Sequence, residues 1–141
     1  MTRSVRSLRL ALLATGLVGV GPAAAVPPPA YLFSFGASGT GAGHFVDPVA
    51  ITGDATRLWV LDAGAHRVAI FDSHGVEVGS FGSAGSGPGQ FNNPVSLCLA
   101  LDGSDLLSIS DAGNNRVEQF HRAGGLVASC GAAGAGAGQL N

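Results

Sequence analysis

Short apolar runs of four to six residues, broken by turns rich in Gly, Asp and Asn, fill the chain from about residue 48 onward. Leu58–Gly82 reads LWVLDAGAHRVAIFDSHGVEVGSFG, three strands joined by two tight turns. The pattern recurs at Leu106–Gly131 as LLSISDAGNNRVEQFHRAGGLVASCG. Four strands are predicted in each copy. In the first copy they are Pro48–Thr52, Leu58–Leu61, Arg67–Phe71 and Val76–Phe81. In the second they are Pro94–Leu99, Leu106–Ser110, Arg116–Phe120 and Leu126–Cys130. Their β-branched and aromatic content suits pleated strands, and Gly and Asp mark most junctions. The third strand alternates most clearly, with Val68 and Ile70 on one face and Arg67, Ala69 and Phe71 on the other. No segment after residue 25 spaces its apolar residues like an amphipathic helix.

The repeat is quantitative. Asp62 and Asp111, Gly64 and Gly113, Arg67 and Arg116, Val68 and Val117, and Phe71 and Phe120 are each 49 residues apart. Upstream, Gly36 and Gly82, Gly43 and Gly89, Phe45 and Phe91, and Pro48 and Pro94 are 46 apart. The second copy therefore carries a three-residue longer turn near Leu101–Ser104. A third copy begins at Gly131 and reaches Gly138-Gln139-Leu140. A period of 40–50 residues built from short strands implies one propeller blade per repeat.

Gly-x-Gly-x-Phe-x-x-Pro, then Leu-Trp-Val-x-Asp-Ala-Gly, then Arg-Val-x-x-Phe-Asp-x-x-Gly resembles the NHL repeat. Asp111-Ala112-Gly113-Asn114-Asn115-Arg116-Val117 is the closer copy; Ala65-His66 departs from the family's usual pair of Asn. The resemblance spans about Tyr31 to Asn141 and implies an all-β fold of four-stranded antiparallel meanders arranged as a β-propeller, commonly of six blades.

The organisation expected is then a signal peptide at 1–25, a Pro-rich linker at 26–30, a closing strand at 31–36, blades at 37–82 and 83–131, and the start of a further repeat at 132–141. Arg3, Arg6 and Arg9 precede an apolar stretch, Leu10–Val20, too short to span a bilayer as a stable helix, and Ala23-Ala24-Ala25 supplies small residues for cleavage before Val26. An uncut membrane anchor is the alternative. After cleavage no stable membrane span is expected, and the address is secreted or periplasmic. Tyr31–Gly36 aligns with Glu77–Gly82, an outer strand without the rest of its blade. Two whole blades cannot close a ring, and stacked blades leave open faces, so an incomplete propeller is expected, with self-association through those faces. Assembly of three copies into six blades is disfavoured because Tyr31–Phe35 would compete with Leu126–Cys130 of the adjoining copy.

Charge narrows the partners. All nine acidic residues follow residue 26 but only four of the seven Arg do, and there is no Lys, so residues 26–141 carry about −5. Nucleic acid and anionic membranes are poor partners for such a surface. The glycine-rich stretches Gly36–Gly43, Gly82–Gly89 and Gly131–Gly138 lack a P-loop lysine and a following helix, and read as flexible crossovers that let Phe45 and Phe91 plug the core.

No catalytic set, metal site or cofactor is expected. His44, His66, His74 and His121 lack ligand spacing, and no Ser-His-acid motif occurs. Asp62, Gly64, Arg67, Asp111, Gly113 and Arg116 repeat and read as architecture around the turn between second and third strands, with an anion site as the alternative. The non-repeated His44, His66, Gln90, Asn114 and Asn115 fall on loops at one end of the blades and form the candidate binding surface, for a protein or small extracellular ligand. Cys98 and Cys130 read as small apolar fillers too far apart to pair, and Trp59 as blade packing. Three functions follow from these readings: a non-catalytic extracytoplasmic binding or scaffold module, a fragment of a lyase-like propeller enzyme, or a non-functional remnant.

Overall fold

A computed structural model describes residues 30–134 and 137–139. The expected signal peptide, most of the expected linker, Leu140 and Asn141 lie outside the described residues. The chain divides between Leu32 and Phe33, and the fold below is that of the second part.

Ten strands follow one another: β1 (Ala37–Ser38), β2 (His44–Phe45), β3 (Pro48–Gly53), β4 (Arg57–Asp62), β5 (Arg67–Asp72), β6 (Glu77–Phe81), β7 (Pro94–Leu99), β8 (Leu106–Asp111), β9 (Arg116–His121) and β10 (Leu126–Cys130). A single 3-10 turn, Ala112–Asn114, precedes β9, and no α-helix occurs among the described residues. β3-β4-β5-β6 and β7-β8-β9-β10 are two four-stranded antiparallel meanders, and β1 and β2 pair in parallel. The described residues close no ring. Each of the eight strands predicted in the two repeats is present, most of them a residue longer at one end or both. Asp62 and Asp111 extend their strands because each faces the arginine that starts the next, Arg67 and Arg116.

Pairing fixes which side chains share a face. Opposite one another across the first sheet stand Thr52, Trp59, Ile70 and Gly79, and one step along, Ala50, Leu61, Val68 and Phe81. This face meets the second sheet's Leu97, Leu99, Leu107, Ile109 and Phe120 in one core, with Phe91 filling its end. Trp59, Leu61, Val68, Leu107, Ile109 and Phe91 are fully buried there. A smaller cluster, Val60, Ala69 and Phe71, lies on the first sheet's other face beneath Phe35 and Phe45. The alternation read in β5 is correct, yet both of its faces are covered.

Sequence and structure differ at three places. Residues 30–36 form no strand and pair with no strand among the described residues. Phe35 nevertheless packs on Phe71 at 4.9 Å, as Phe81 packs on Phe120 at 4.9 Å one repeat later. The glycine loops are ordered rather than loose: Ala37 donates to Gly43 O and Gly39 to Phe45 O, and Gly85 donates likewise to Phe91 O. Cys98 and Cys130 are free, exposed thiols and not core fillers. They stand on the outward face of the second sheet, where the pairing sets Cys98, Ser108, Gln119 and Ala128 in a row. At the equivalent first-sheet positions are Thr52, Trp59, Ile70 and Gly79. Those first-sheet positions face the core; the first sheet's own outward side carries Val49, Ile51 and Val60, so the outward sides are unlike, one apolar and the other bearing Cys98, Ser108, Ser110 and Gln119.

Candidate functional site

The candidate residues gather at the end of the sheets where β4 turns into β5 and β8 into β9. A strand ending in Asp places a carboxylate beneath the incoming loop. Asp62 is fully buried and accepts the N–H of Val46 at 3.0 Å, of Asp47 at 2.8 Å and of Ala65 at 3.2 Å. Asp111, equally buried, accepts from Asn92 N at 2.8 Å, Asn114 Nδ2 at 2.6 Å and Arg116 Nε at 3.3 Å. Gly64 and Gly113 pass so close to Val46 and Asn92 that a Cβ on either would collide with them. This fixes glycine at both positions on sterics alone.

The arginines hold the glycine loops. Arg67 donates to Gly41 O at 3.3 Å and His44 O at 3.0 Å. Arg116 donates to the carbonyls one repeat later, Gly87 O at 2.8 Å and Gln90 O at 2.6 Å, and to Ser86 O at 2.9 Å. A guanidinium offers five donors in a rigid fork, so one side chain can tie several carbonyls of a loop at once. Arg116 also closes on Asp111, whereas Arg67 pairs instead with Glu77 at 2.9 Å.

Two glutamates complete the latch, and the sequence reading missed both. Glu77 on β6 accepts Gly43 N at 2.6 Å and pairs with Arg67. Glu118 on β9 accepts Gly89 N at 3.3 Å and lies 3.4 Å from Arg116. Gly43 and Gly89 are repeat equivalents, but the glutamates are not: Ala69 stands where Glu118 would, and Leu126 where Glu77 would. The same charge reaches the same loop from different strands. That reciprocal exchange was visible on aligning the copies at 49. Glu118 is fully buried and its Oε2 has no partner. Burial raises its carboxyl above the ordinary glutamate range, against the pull of the Gly89 N–H and of Arg116.

Of the five candidate binding residues, four are engaged inside the loops. His44 Nδ1 lies 2.9 Å from Ala42 O, and His66 Nδ1 lies 3.0 Å from Phe91 O. A carbonyl only accepts, so Nδ1 carries the proton in both rings and Nε2 is the nitrogen left for a ligand. Gln90 Oε1 accepts Gly87 N at 2.9 Å, and Asn114 Nδ2 donates to Gly85 O at 2.8 Å. His66, Gln90 and Asn114 thus converge on the loop at 83–91, while His44 belongs to the preceding one. Asn115 makes no side-chain hydrogen bond among the described residues, and it shares a left-handed backbone with His66, at φ 51° and 52°. Among the described residues no three His, Cys, Asp or Glu side chains converge to hold a metal.

The opposite end joins the sheets differently. Arg122, from the β9–β10 turn, meets Asp54 and Asp105 at 2.5 Å each and lies 5.7 Å from the Trp59 ring centroid. The Trp59 indole donates to Arg122 O at 2.9 Å. Thr56 N–H and hydroxyl bonds hold Asp54 below the usual carboxylate range. A crevice of about 350 Å³ opens between these side chains. His74 and His121 stand exposed at this end.

No family model and no curated protein matches the chain. Its fold is similar to that of the "putative exported protein" of Bacteroides fragilis NCTC 9343, with a TM-score of 0.56 at 21% identity. The likeness covers 68% of this chain and 27% of that one, so the present chain spans about a quarter of that protein's length. Among the described residues no helix is long and apolar enough to cross a membrane.

Proposed function

We propose that the chain is a non-catalytic, extracytoplasmic binding or scaffold module built from NHL-type β-propeller blades, recognising a protein or small ligand through its loop end. The observation that carries this reading is the division of labour at that end. The repeated Asp, Gly and Arg side chains are spent fixing the loops, and side chains that differ between the repeats sit on the loops so fixed. Rigid sheets presenting variable loops are a common arrangement for recognition. The exported neighbour and the Arg-flanked apolar stretch before Ala25 support an extracytoplasmic address. Nothing in the loop set pairs a nucleophile with a base, which favours contact over turnover.

Two experiments test it. Expression in a bacterial host, with fractionation and N-terminal sequencing, should return an exported chain beginning at Val26; an uncut cytoplasmic chain would sink the address. Screening against immobilised peptides and glycans should give hits that His44→Ala and Asn115→Ala weaken while far-ultraviolet circular dichroism stays unchanged. Hits indifferent to both changes would move the binding surface elsewhere.

A further inference from the structure

The end of the sheets away from the glycine loops holds a crevice that the repeat does not explain. It measures about 350 Å³ and is lined by Asp54, Thr56 and Arg57 from the first repeat and Asp105 and Arg122 from the second, around the buried Trp59. Its charged residues have no counterparts in the other repeat. Asp54 N donates to Arg57 O at 2.9 Å and Ala100 N to Leu106 O at 2.8 Å, so Ala100 and Leu106 hold the matching positions. Ser73 stands 49 residues before Arg122. Asp105 follows the longer turn of the second copy, in left-handed backbone at φ 62°. Architecture common to the blades therefore does not account for this set. We propose that the crevice binds a small zwitterion, a free amino acid, with Arg57 taking its carboxylate and Asp105 its ammonium group.

The set is half fixed and half open. Asp54 and Asp105 pair with Arg122 at 2.5 Å each, and the Trp59 indole donates to the Arg122 carbonyl at 2.9 Å. Thr56 N, Thr56 Oγ1 and Arg57 N all donate to Asp54 Oδ1. This tie joins the repeats without the Arg57 side chain, which is exposed and enters no ion pair among the described residues. Asp105 meets Arg122 through Oδ1 and is 59% exposed. A carboxylate accepts on both oxygens, so it retains room for an ammonium donor. A guanidinium fork suits a ligand carboxylate bidentately.

The charge balance selects against ions of one sign. Two carboxylates, Asp54 and Asp105, face two guanidinium groups, Arg57 and Arg122, across the crevice. A simple anion meets the carboxylates and a simple cation meets the guanidinium groups; a ligand carrying both signs pairs with each. The volume lies at the small end of the roughly 300–1,000 Å³ typical of ligand sites, which suits a molecule of this size. The crevice lies at the other end of the sheets from the loop surface proposed above and is independent of it.

Saturation-transfer nuclear magnetic resonance on the purified full chain at neutral pH, against each protein amino acid in turn, tests the proposal. At least one should bind with a Kd below about 1 mM. The matching deaminated acid and decarboxylated amine should each bind at least about tenfold more weakly. Arg57→Gln and, separately, Asp105→Asn should weaken the amino acid at least about tenfold. Both side chains are exposed, Asn tolerates the left-handed backbone, and circular dichroism checks that the fold survives. No amino acid bound at about 10 mM would overturn the proposal. An acid or amine that keeps the full affinity would overturn it too, since the site would then read a single charge. So would binding that either variant leaves intact.

Discussion

The first and second sheets share strand order, register and loop latch, yet differ in what each does with its faces. The first is apolar on both sides: Leu61 and Val68 reach the second sheet, and Val60 and Phe71 pack beneath Phe35 and Phe45. The second is apolar on one side only. At matched positions Trp59 gives way to Ser108, Leu61 to Ser110 and Ile70 to Gln119. The comparison teaches that the backbone pattern of a repeat and the chemistry of its faces are separable, the first set by turns and pairing and the second by a few side chains.

The latch predicts the largest effects. Asp111→Ala removes the buried partner of Arg116 and leaves Asn92 N–H without its acceptor, and should cost about 3–5 kcal/mol in chemical unfolding. Asp62→Ala abandons three N–H donors and should cost about 3 kcal/mol. If either loses less than about 1 kcal/mol, the loops are held by something else.

Glu118 sharpens the comparison, because its counterpart Ala69 is apolar. Its raised pKa means that the folded state favours the protonated acid. The associated stability is full below the unfolded glutamate pKa and is lost as pH rises through the folded one. Glu118→Gln should flatten that dependence and raise stability near pH 7 by about 1 kcal/mol, since Arg116 keeps its carbonyl partners. Unfolding midpoints at several pH values decide it, and a parallel loss at every pH would refute the burial argument. The smallest effect is expected at His66→Asn, which copies Asn115 in the same left-handed turn and exchanges one loop bond for an easier backbone. It should change stability by less than about 0.5 kcal/mol.

Much of this was legible before the structure. The strands could be placed because Asp62, Arg67, Asp111 and Arg116 punctuate them at matched spacing, and the loop end could be identified because consecutive meander turns alternate ends. Three things were not read. Residues 31–36 match an outer strand in sequence, but a strand needs a neighbour's backbone, and residue type carries no information on whether one is there. Glu77 and Glu118 were passed over because they do not repeat, although they do the same work. The burial of Cys98 and Cys130 was misjudged because their strand positions were counted without asking which face they served. The polar character of Ser96, Ser108, Ser110 and Gln119 already held that answer.

Leu61 and Ser110 occupy the same register position on equivalent strands, one inside the shared core and one on the outward face. Urea unfolding of Leu61→Ala and Ser110→Ala compares the two faces most directly. The stacked arrangement predicts a loss of about 2–5 kcal/mol for the first and less than about 0.5 for the second. Equal losses, or a larger one at Ser110, would contradict it.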